Sequence, residues 1–285
     1  MEPLNAEEIR RAVRVALEED IGSGDVTTLA TVPENATAGA AMVAREGLVL
    51  AGIGLAEAAF AELSPAVQTK RLLSDGERAA AGAKLLQVLG PARVILTAER
   101  AALNFVQRLS GIATLTADFV QAIKGTPAKI LDTRKTTPGW RRLEKYAVRC
   151  GGGQNHRFGL FDMVLIKDNH LAALRGEMPN PITAAVQRAR MRYPQLKVEV
   201  EAENLDQVEQ AAAAGAEIIL LDNMNPGQLR AAVELVHGRA QTEASGGINL
   251  ANVRAIAETG VDFISIGALT HSARAMDIAL DFETV

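Results

Sequence analysis

The second half of the chain repeats a short apolar run that ends in a polar cluster, and this pattern constrains the fold more than any other feature. The runs are KILDTRK, MVLIKDNH, KVEVEAEN, IILLDN, QTEASGG and FISIGALTH, which begin at positions 129, 163, 197, 218, 241 and 263. Spacings of 21 to 34 residues leave room for one helix between successive strands. The pattern therefore predicts a series of strand–helix units.

The segments between these runs favour the same prediction. Helices are predicted over three stretches, each closed by a glycine: 205–214, 226–237 and 250–259. Runs such as MVLI and IILL are continuously apolar, which is typical of parallel strands covered on both faces. At least six right-handed units close most simply into an α/β barrel, and a doubly wound open sheet is the alternative.

The residues before the repeat lack this rhythm. They contain strand-like runs such as AAMVAREGLVLAG, followed by a helical pattern in LTAERAALNFVQRLSGIATLTADFVQAIKG. The amino terminus, MEPLNAEEIRRAVRVALEED, has the spacing of an amphipathic helix and no apolar core of the signal-peptide kind. No apolar run reaches the roughly 18 residues of a membrane span, so no membrane partner is expected. With 285 residues and 48% apolar content, the chain can form one large domain or two modest ones.

Charge is unevenly distributed along the chain. The formal net charge is −4, yet the segment from Arg134 to Lys167 holds eight Lys or Arg against two acids, an excess of +6 that leaves −10 for the remainder. A compact basic region in an acidic protein suits a small polyanionic ligand. The alternative is a solvated basic helix face formed by Arg141, Arg142, Lys145 and Arg149. One Trp and two Tyr offer few stacking platforms, so no nucleic-acid partner is expected.

The strand ends carry the residues that could bind a ligand or catalyse a reaction, because ligand sites of parallel α/β proteins lie at the carboxyl ends of the strands. The glycine-rich loop GGGQNHR brings His156 and Arg157 to the same rim. Cations come first along the chain, carboxylates next and glycine turns last, which predicts a ligand with differently charged regions. These candidates are Arg134, Lys135, Lys167, Glu201, Asp222, Ser245, Gly246, Gly247, Gly267 and His271.

Two carboxylates follow successive strands of the repeat. Glu201 and Asp222 are candidates to bind Mg²⁺, to bind ribose hydroxyls or to stabilise positive charge on a sugar carbon. Capping of the next helix is the structural alternative, above all for Asp222. The segments ASGGIN and IGALTHS expose backbone N–H groups between a strand and a helix, which suits a phosphate, although glycines also form ordinary turns at such positions.

Several common site chemistries lack their sequence motifs. The four histidines form no H-E-x-x-H or Cys/His grouping, so a histidine metal site is not expected. No G-x-S-x-G, G-x-G-x-x-G after a strand or G-x-x-x-x-G-K-[ST] occurs, which argues against a serine hydrolase and against ATP or NAD as cofactor. Cys150 is the one cysteine, which fits a reducing compartment and favours a cytoplasmic location.

Eight segments, in order along the chain, resemble the motifs of a known family. They are EDIGSGDVTT (19–28), TAERAALNFVQRLSGIAT (97–114), DTRKTTPGWRRLEKYAVRCGGGQNHRFGL (132–160), LIKDNH (165–170), VEVEAENLDQ (198–207), ILLDN (219–223), ASGGI (244–248) and GVDFISIGALTHS (260–272). Over essentially its whole length the chain resembles quinolinate phosphoribosyltransferase, also called nicotinate-nucleotide pyrophosphorylase (carboxylating).

The resemblance implies a type II phosphoribosyltransferase with two domains. It predicts an amino-terminal α/β sandwich over residues 1–112 and an incomplete α/β barrel of about seven strands over residues 113–272. The chain end, residues 273–285, is expected to pack back toward the first domain. The implied reaction joins quinolinate to phosphoribosyl pyrophosphate, with Mg²⁺, and gives nicotinate mononucleotide, pyrophosphate and CO₂ in de novo NAD biosynthesis.

The resemblance also implies a role for each candidate residue. Quinolinate would be bound by Arg134, His156, Arg157 and Lys167, with Arg100 contributed by the partner subunit of a homodimer that could assemble further. Phosphoribosyl pyrophosphate would be bound by Lys135, Glu201, Asp222, Ser245, Gly246, Gly267 and His271. Lys135, Glu201 and Asp222 would be the catalytic residues, with Mg²⁺ near the two acids. Independently of the family, Arg100 shares a predicted helix face with Asn104 and with Gln107 or Arg108.

Three rival functions share parts of this pattern. A phosphoribosyltransferase for another small aromatic acid would need the same phosphate site, and a sister group linked to molybdenum-transport operons has the same overall motifs. A noncatalytic barrel that senses a phosphate or nucleotide would need no pair of acids at Glu201 and Asp222.

Overall fold

The computed structural model describes residues 3–283, which form twelve strands and eleven helices. The strands are β1 (Thr37–Ala44), β2 (Leu48–Val49), β3 (Gln68–Arg71), β4 (Arg78–Ala79), β5 (Lys84–Pro91), β6 (Lys129–Leu131), β7 (Val164–Ile166), β8 (Val198–Ala202), β9 (Ile218–Asp222), β10 (Gln241–Ser245), β11 (Phe263–Ser265) and β12 (Ile278–Glu283). The helices are α1 (Ala6–Ile21), α2 (Val26–Thr31), α3 (Ile53–Leu63), α4 (Ala92–Ala122), α5 (Arg141–Cys150), α6 (Asp168–Ala172), α7 (Pro181–Arg192), α8 (Leu205–Ala214), α9 (Pro226–Val236), α10 (Val253–Ala257) and α11 (Ala268–His271).

Two compact units divide the described chain. The first contains the residues up to Ala117, residues 137–152 and the residues from Ser272 onward, and the second contains residues 118–136 and 153–271. The predicted division after residue 112 stays a prediction; the contacts divide the chain five residues later, within α4. None of the helices formed by residues 3–283 has both the length and the apolar character needed to cross a bilayer.

The first unit is built on an antiparallel sheet with the strand order β12-β1-β5-β3, and β2 pairs with β4 in a separate two-stranded sheet. The small apolar residues of β1 are buried from Ala38 to Ala44. Strand β12 pairs antiparallel with one edge of β1, with Gly39 opposite Glu283 and Ala44 opposite Ile278. The chain end therefore belongs to the sheet that the amino-terminal strands begin.

Residues 137–152 group with the first unit because their buried side chains find partners there. Trp140 stacks on Phe105 of α4 with the ring centroids 5.2 Å apart. The fully buried carboxylate of Glu144 accepts hydrogen bonds from the Thr137 hydroxyl at 2.8 Å and from Arg108 at 3.4 Å. Lys145 is also fully buried, so its interpretation as part of a solvated basic helix face is wrong.

The second unit is a parallel sheet with the strand order β6-β11-β10-β9-β8-β7. A single parallel bridge joins Leu131 of β6 to Gln154, and among residues 3–283 no strand ladder joins β6 to β7. The sheet is thus an incomplete barrel of six strands. The resemblance implied about seven strands, and a single bridging residue takes the place of the additional one. The α/β class, with an antiparallel unit and a parallel unit, is confirmed.

The predicted elements lie close to those of the structure. Each of the six predicted strands is present and begins within one residue of its predicted position, and α8 spans its predicted range. Helix α10 covers only Val253–Ala257, shorter than the predicted 250–259. The side chains of Asn249 and Asn252 explain the difference, because they accept from the backbone N–H groups of Ala251 (2.9 Å) and Asn249 (2.8 Å) and hold a turn there.

Candidate active site

The acids predicted at the strand ends lie on one face of the parallel sheet. Side chains two residues apart share a face, and residues opposite each other in neighbouring parallel strands do so too. Glu201 lies opposite Leu220, and Asp222, two residues after Leu220, lies opposite Ser245. The structure therefore brings Glu201, Asp222 and Ser245 to one face of β8, β9 and β10, at the carboxyl ends of these strands.

Helix capping does not explain the two acids. The side chain of Asn225 caps α9 by accepting from the N–H groups of Gly227 at 2.9 Å and Gln228 at 3.1 Å, and Asn204 caps α8 in the same way. The capping alternative for Asp222 is thus wrong. Both carboxylates are left for other chemistry.

Lys167 and Glu201 form an ion pair across neighbouring strands. The Nζ atom of Lys167, which directly follows β7, donates to Oε2 of Glu201 at the end of β8. The Glu201 side chain is only 11% exposed, whereas that of Lys167 is 44% exposed. The pair places an exposed cation and a largely buried anion side by side at the rim.

The turn after β9 is interlocked with the turn after β10. Asn223 has a positive φ of 54°, its side chain donates to Asp222 Oδ2 at 2.7 Å, and its N–H donates to the carbonyl of Ser245 at 2.9 Å. Gly246 has a φ of 93°, and a Cβ atom there would lie 2.6 Å from Cγ of Asn223. Only glycine fits at this position, which keeps the rim beside Asp222 open.

A second glycine brings a lysine and a histidine together. A Cβ atom on Gly267 would lie 3.0 Å from Cδ of Lys135 and 3.1 Å from Nε2 of His271. The hydroxyl of Thr270 donates to the carbonyl of Lys135 at 2.7 Å and ties the loop after β6 to the turn after β11. Lys135, Gly267 and His271 therefore form one corner, which has the composition of an anion site.

Two arginines form a separate positive region. Nε of Arg134 is buried and has no hydrogen-bond partner among the described residues. Arg157 donates from Nη1 to the carbonyl of Met163 at 3.2 Å. Burial lowers the pKa of Arg157, and the nearby charge of Arg134 lowers it further. A buried donor without a partner beside a second cation suits an anionic ligand, because a carboxylate would satisfy both.

His156 is buried inside the barrel, with its side chain 8% exposed. Its backbone N–H donates to the buried carboxylate of Asp132 at 2.9 Å, and its Nδ1 accepts from the N–H of Arg157 at 2.8 Å. Its Nε2 lies 3.1 Å from Oε2 of Glu199 and 3.7 Å from Oε2 of Glu243. His156 thus joins the arginine region to two acids in the interior of the sheet.

The sequence interpretation missed Glu199 and Glu243 as site residues. Glu199 is fully buried and Glu243 is 1% exposed. Burial, together with the charge of Glu199, raises the pKa of Glu243 to about 8. A glutamate at an interior strand position, flanked by apolar residues as in VEVEA, is the signal that could have found Glu199. Glu243 lies between Thr242 and Ala244 and lacks this signal.

Arg100 belongs to the first unit, on α4. Its side chain is 58% exposed, and its guanidinium lies 4.0 Å from the carboxylate of Glu99. All the other predicted site residues belong to the second unit.

Comparison with known sequences decides the family. The sequence models described as "Quinolinate phosphoribosyl transferase, N-terminal domain" and "Quinolinate phosphoribosyl transferase, C-terminal domain" match residues 25–110 and 112–281. The chain belongs to the quinolinate phosphoribosyltransferase family.

Relatives of this family cover nearly the whole chain. A nicotinate-nucleotide pyrophosphorylase (carboxylating) from Mycobacterium leprae is 47% identical, covering 95% of this chain and 96% of the relative. A mitochondrial quinolinate phosphoribosyltransferase (decarboxylating) from Nicotiana tabacum is 43% identical over 97% of this chain and 83% of its own length. The solved nicotinate-nucleotide pyrophosphorylase from Francisella tularensis superimposes with a TM-score of 0.92 at 42% identity, covering 99% of this chain and 98% of that one.

Proposed function

We propose that this chain transfers the phosphoribosyl group of phosphoribosyl pyrophosphate to quinolinate and releases CO₂, giving nicotinate mononucleotide and pyrophosphate in NAD biosynthesis. Its relatives in Mycobacterium leprae and Nicotiana tabacum are named for this activity. The grouping of charges in the second unit carries the proposal. The arginine region, in which a buried donor has no partner among the described residues, matches a dicarboxylate, the pair of acids matches a ribose, and the corner of a lysine and a histidine around a glycine matches a phosphate.

The arginine region is proposed to bind quinolinate. The planar guanidinium groups of Arg134 and Arg157 can each hold one carboxylate bidentately, which explains why Nε of Arg134 is buried without a partner in the described chain. Lys167 adds a third cation once a ligand separates it from Glu201. A nicotinate molecule, which has one carboxylate fewer, would leave part of this positive charge unpaired.

The glycine turns are proposed to bind phosphoribosyl pyrophosphate. Ser245, Gly246 and Gly267 would approach the 5′-phosphate closely, since these positions carry small side chains or none. Lys135 supplies positive charge at the Gly267 corner, beside His271. Glu201 and Asp222 would face the ribose.

Catalysis is proposed to depend mainly on positioning and electrostatics. The carboxylates of Glu201 and Asp222 stabilise the positive charge that develops on the ribosyl carbon as pyrophosphate leaves. Arg134 and Arg157 hold the ring so that its nitrogen attacks this carbon. The resulting pyridinium withdraws electrons from the neighbouring carbon, whose carboxylate departs as CO₂ and which is then protonated.

A magnesium ion fits the pair of acids. Glu201 and Asp222 offer carboxylate oxygens at the ends of adjacent strands, and Mg²⁺ is commonly bound by one or two carboxylates together with substrate phosphates. When bound, it would neutralise charge on the pyrophosphate group.

The assembly and location are also proposals. We infer a homodimer in which the exposed Arg100 reaches the quinolinate site of the partner subunit, because the resemblance assigns it this role. A cytoplasmic location is proposed from the single, buried cysteine. Light scattering of the purified chain and complementation between inactive Arg100→Ala and Glu201→Gln variants would test the dimer, since mixed dimers regain one intact site.

The decisive experiment follows nicotinate mononucleotide and labelled CO₂ together, with quinolinate, phosphoribosyl pyrophosphate and Mg²⁺, and uses nicotinate as the parallel acceptor. We expect both products from quinolinate alone. Glu201→Gln should lower kcat about 100-fold or more, because it removes charge from the transition state, whereas Glu203→Gln, an exposed neighbour, should not. Product from nicotinate only, or full activity of a folded Glu201→Gln variant, would contradict the proposal.

A further inference from the structure

The interior of the parallel sheet holds a cluster of His156, Glu199 and Glu243. One side-chain atom of each lies within 4.8 Å of the others. Oε1 of Glu199 and Oε1 of Glu243 are buried without a hydrogen-bond partner among the described residues. Burial of such groups is costly, and apolar residues would fill a barrel interior at lower cost. Packing alone therefore does not account for these acids.

The cluster lies directly below the proposed substrate site. Glu199 is two residues before Glu201 on β8, and Glu243 is two residues before Ser245 on β10, so each shares a face with a rim residue. The charge of Glu199 also favours the charged form of Arg157, whose pKa burial lowers. Glu199 thus acts electrostatically on one of the two guanidinium groups proposed to bind quinolinate.

Both ring nitrogens of His156 are engaged within the protein. Nδ1 accepts from the N–H of Arg157, so it carries no proton, and the ring proton lies on Nε2, which faces the two carboxylates. His156 consequently has no ring N–H to give to a substrate in this arrangement. It connects the buried acids to the backbone of Arg157.

We propose that Glu199 and Glu243 are positioning residues of the transfer reaction proposed above: they hold the imidazole of His156 in its Nε2–H form, and through Nδ1 they fix Arg157 for the acid substrate. Removal of the acids frees the ring to rotate, and the support of Arg157 is lost. Binding of quinolinate weakens, while binding of phosphoribosyl pyrophosphate, which is not assigned to Arg157, does not.

The histidine tautomer is measured by ¹⁵N NMR of the intact protein with labelled imidazole rings. The chain has four histidines, and a His156→Gln variant assigns the signal. We expect an unprotonated Nδ1 and a protonated Nε2 for His156 at neutral pH, and an altered signal in Glu199→Leu. A proton on Nδ1 in the wild type, alone or together with one on Nε2, would overturn the proposal.

Kinetics separate positioning from general loss of structure. Glu199→Leu and Glu243→Leu should raise the KM for quinolinate about tenfold or more, as changes behind a ligand-holding residue typically do, with the KM for phosphoribosyl pyrophosphate within about twofold. Glu199→Gln and Glu243→Gln keep a hydrogen-bonding oxygen and should recover quinolinate KM to within about threefold. Glu203→Leu, in the exposed turn after β8, is the matched control.

The outcomes distinguish this proposal from the function on which it rests. Absence of turnover in the wild type overturns both. The positioning role alone is overturned if the wild type turns over normally and a folded leucine variant has an unchanged KM for quinolinate. It is also overturned if the KM values for both substrates rise equally in that variant. If the leucine variants do not fold, failure of the glutamine variants to retain quinolinate KM overturns it. One divalent metal ion per wild-type chain, lost in Glu199→Gln, would also overturn it, because the cluster would then be a metal site.

Discussion

Replacing Glu243 by glutamine should stabilise the protein in a way that depends on pH. The ordinary pKa of this carboxyl is 4.5, and burial together with the nearby charge of Glu199 raises it to about 8 in the folded chain. Below pH 4.5 both folded and unfolded states hold the proton. Between pH 4.5 and 8 the unfolded state releases the proton and the folded state keeps it, so the stability of the wild type falls as pH rises.

The size of this effect follows from the shift in pKa. Each pKa unit corresponds to about 1.4 kcal/mol, so the full rise corresponds to at most about 5 kcal/mol of stability lost between pH 4.5 and 8. Glutamine does not titrate, and its amide can hydrogen-bond within the same space. The advantage of Glu243→Gln over the wild type should therefore be small at pH 5 and grow by up to about 1.4 kcal/mol per pH unit toward pH 8.

Denaturant unfolding of both proteins at pH 5, 6, 7 and 8 measures this advantage. Glu234→Gln is the matched control, because Glu234 lies exposed on α9 and its substitution should give the same small difference at every pH. A constant or shrinking advantage of Glu243→Gln from pH 5 to pH 8 would refute the reasoning, since the carboxyl would then be charged in the folded state throughout.

Three further substitutions or modifications test other contacts. Gly246→Ala places a side chain at a φ of 93° beside Asn223, so it should cost about 1–3 kcal/mol of folding free energy, measured by denaturation. It should also raise the KM for phosphoribosyl pyrophosphate, and unchanged values of both quantities would contradict the described turn. Arg134→Lys retains charge but loses the planar fork, so the KM for quinolinate should rise about tenfold while that for phosphoribosyl pyrophosphate is unchanged. Burial raises the pKa of Cys150 to about 12, so its thiol should react with a disulfide reagent at pH 8 only after denaturation; rapid reaction of the folded chain would contradict its burial.

The positions of the parallel strands could be predicted because each apolar run is bounded by polar clusters and glycines. The rim acids could be predicted for the same reason, since a polar residue that directly follows a buried strand lies at its end. The partners of these acids could not be predicted. The ion pair between Lys167 and Glu201 depends on which strands are neighbours, and the sequence order leaves an open sheet as an alternative to the barrel.

The buried acids show a different limit. The alternation in VEVEA places Glu199 and Glu201 on one face, yet only the assembled sheet determines that this face is the interior, where His156 can reach it. Likewise Lys145 looks like a solvated cation on its own helix, yet its side chain is fully buried in the folded chain. In both cases the sequence specifies the face, and the tertiary contacts determine what it meets.

The pairing of β12 with β1 determines when the amino-terminal sheet can be completed during synthesis. Strand β1 leaves the ribosome early, but β12, which covers its edge, is made about 230 residues later. Until then β1 has an unpaired, apolar edge, the kind of surface that associates with other chains. The six parallel strands of the second unit are all made before β12. The amino-terminal sheet, although begun first, is therefore completed only after the parallel sheet, and a nascent chain stalled before residue 278 should require a chaperone to remain monomeric.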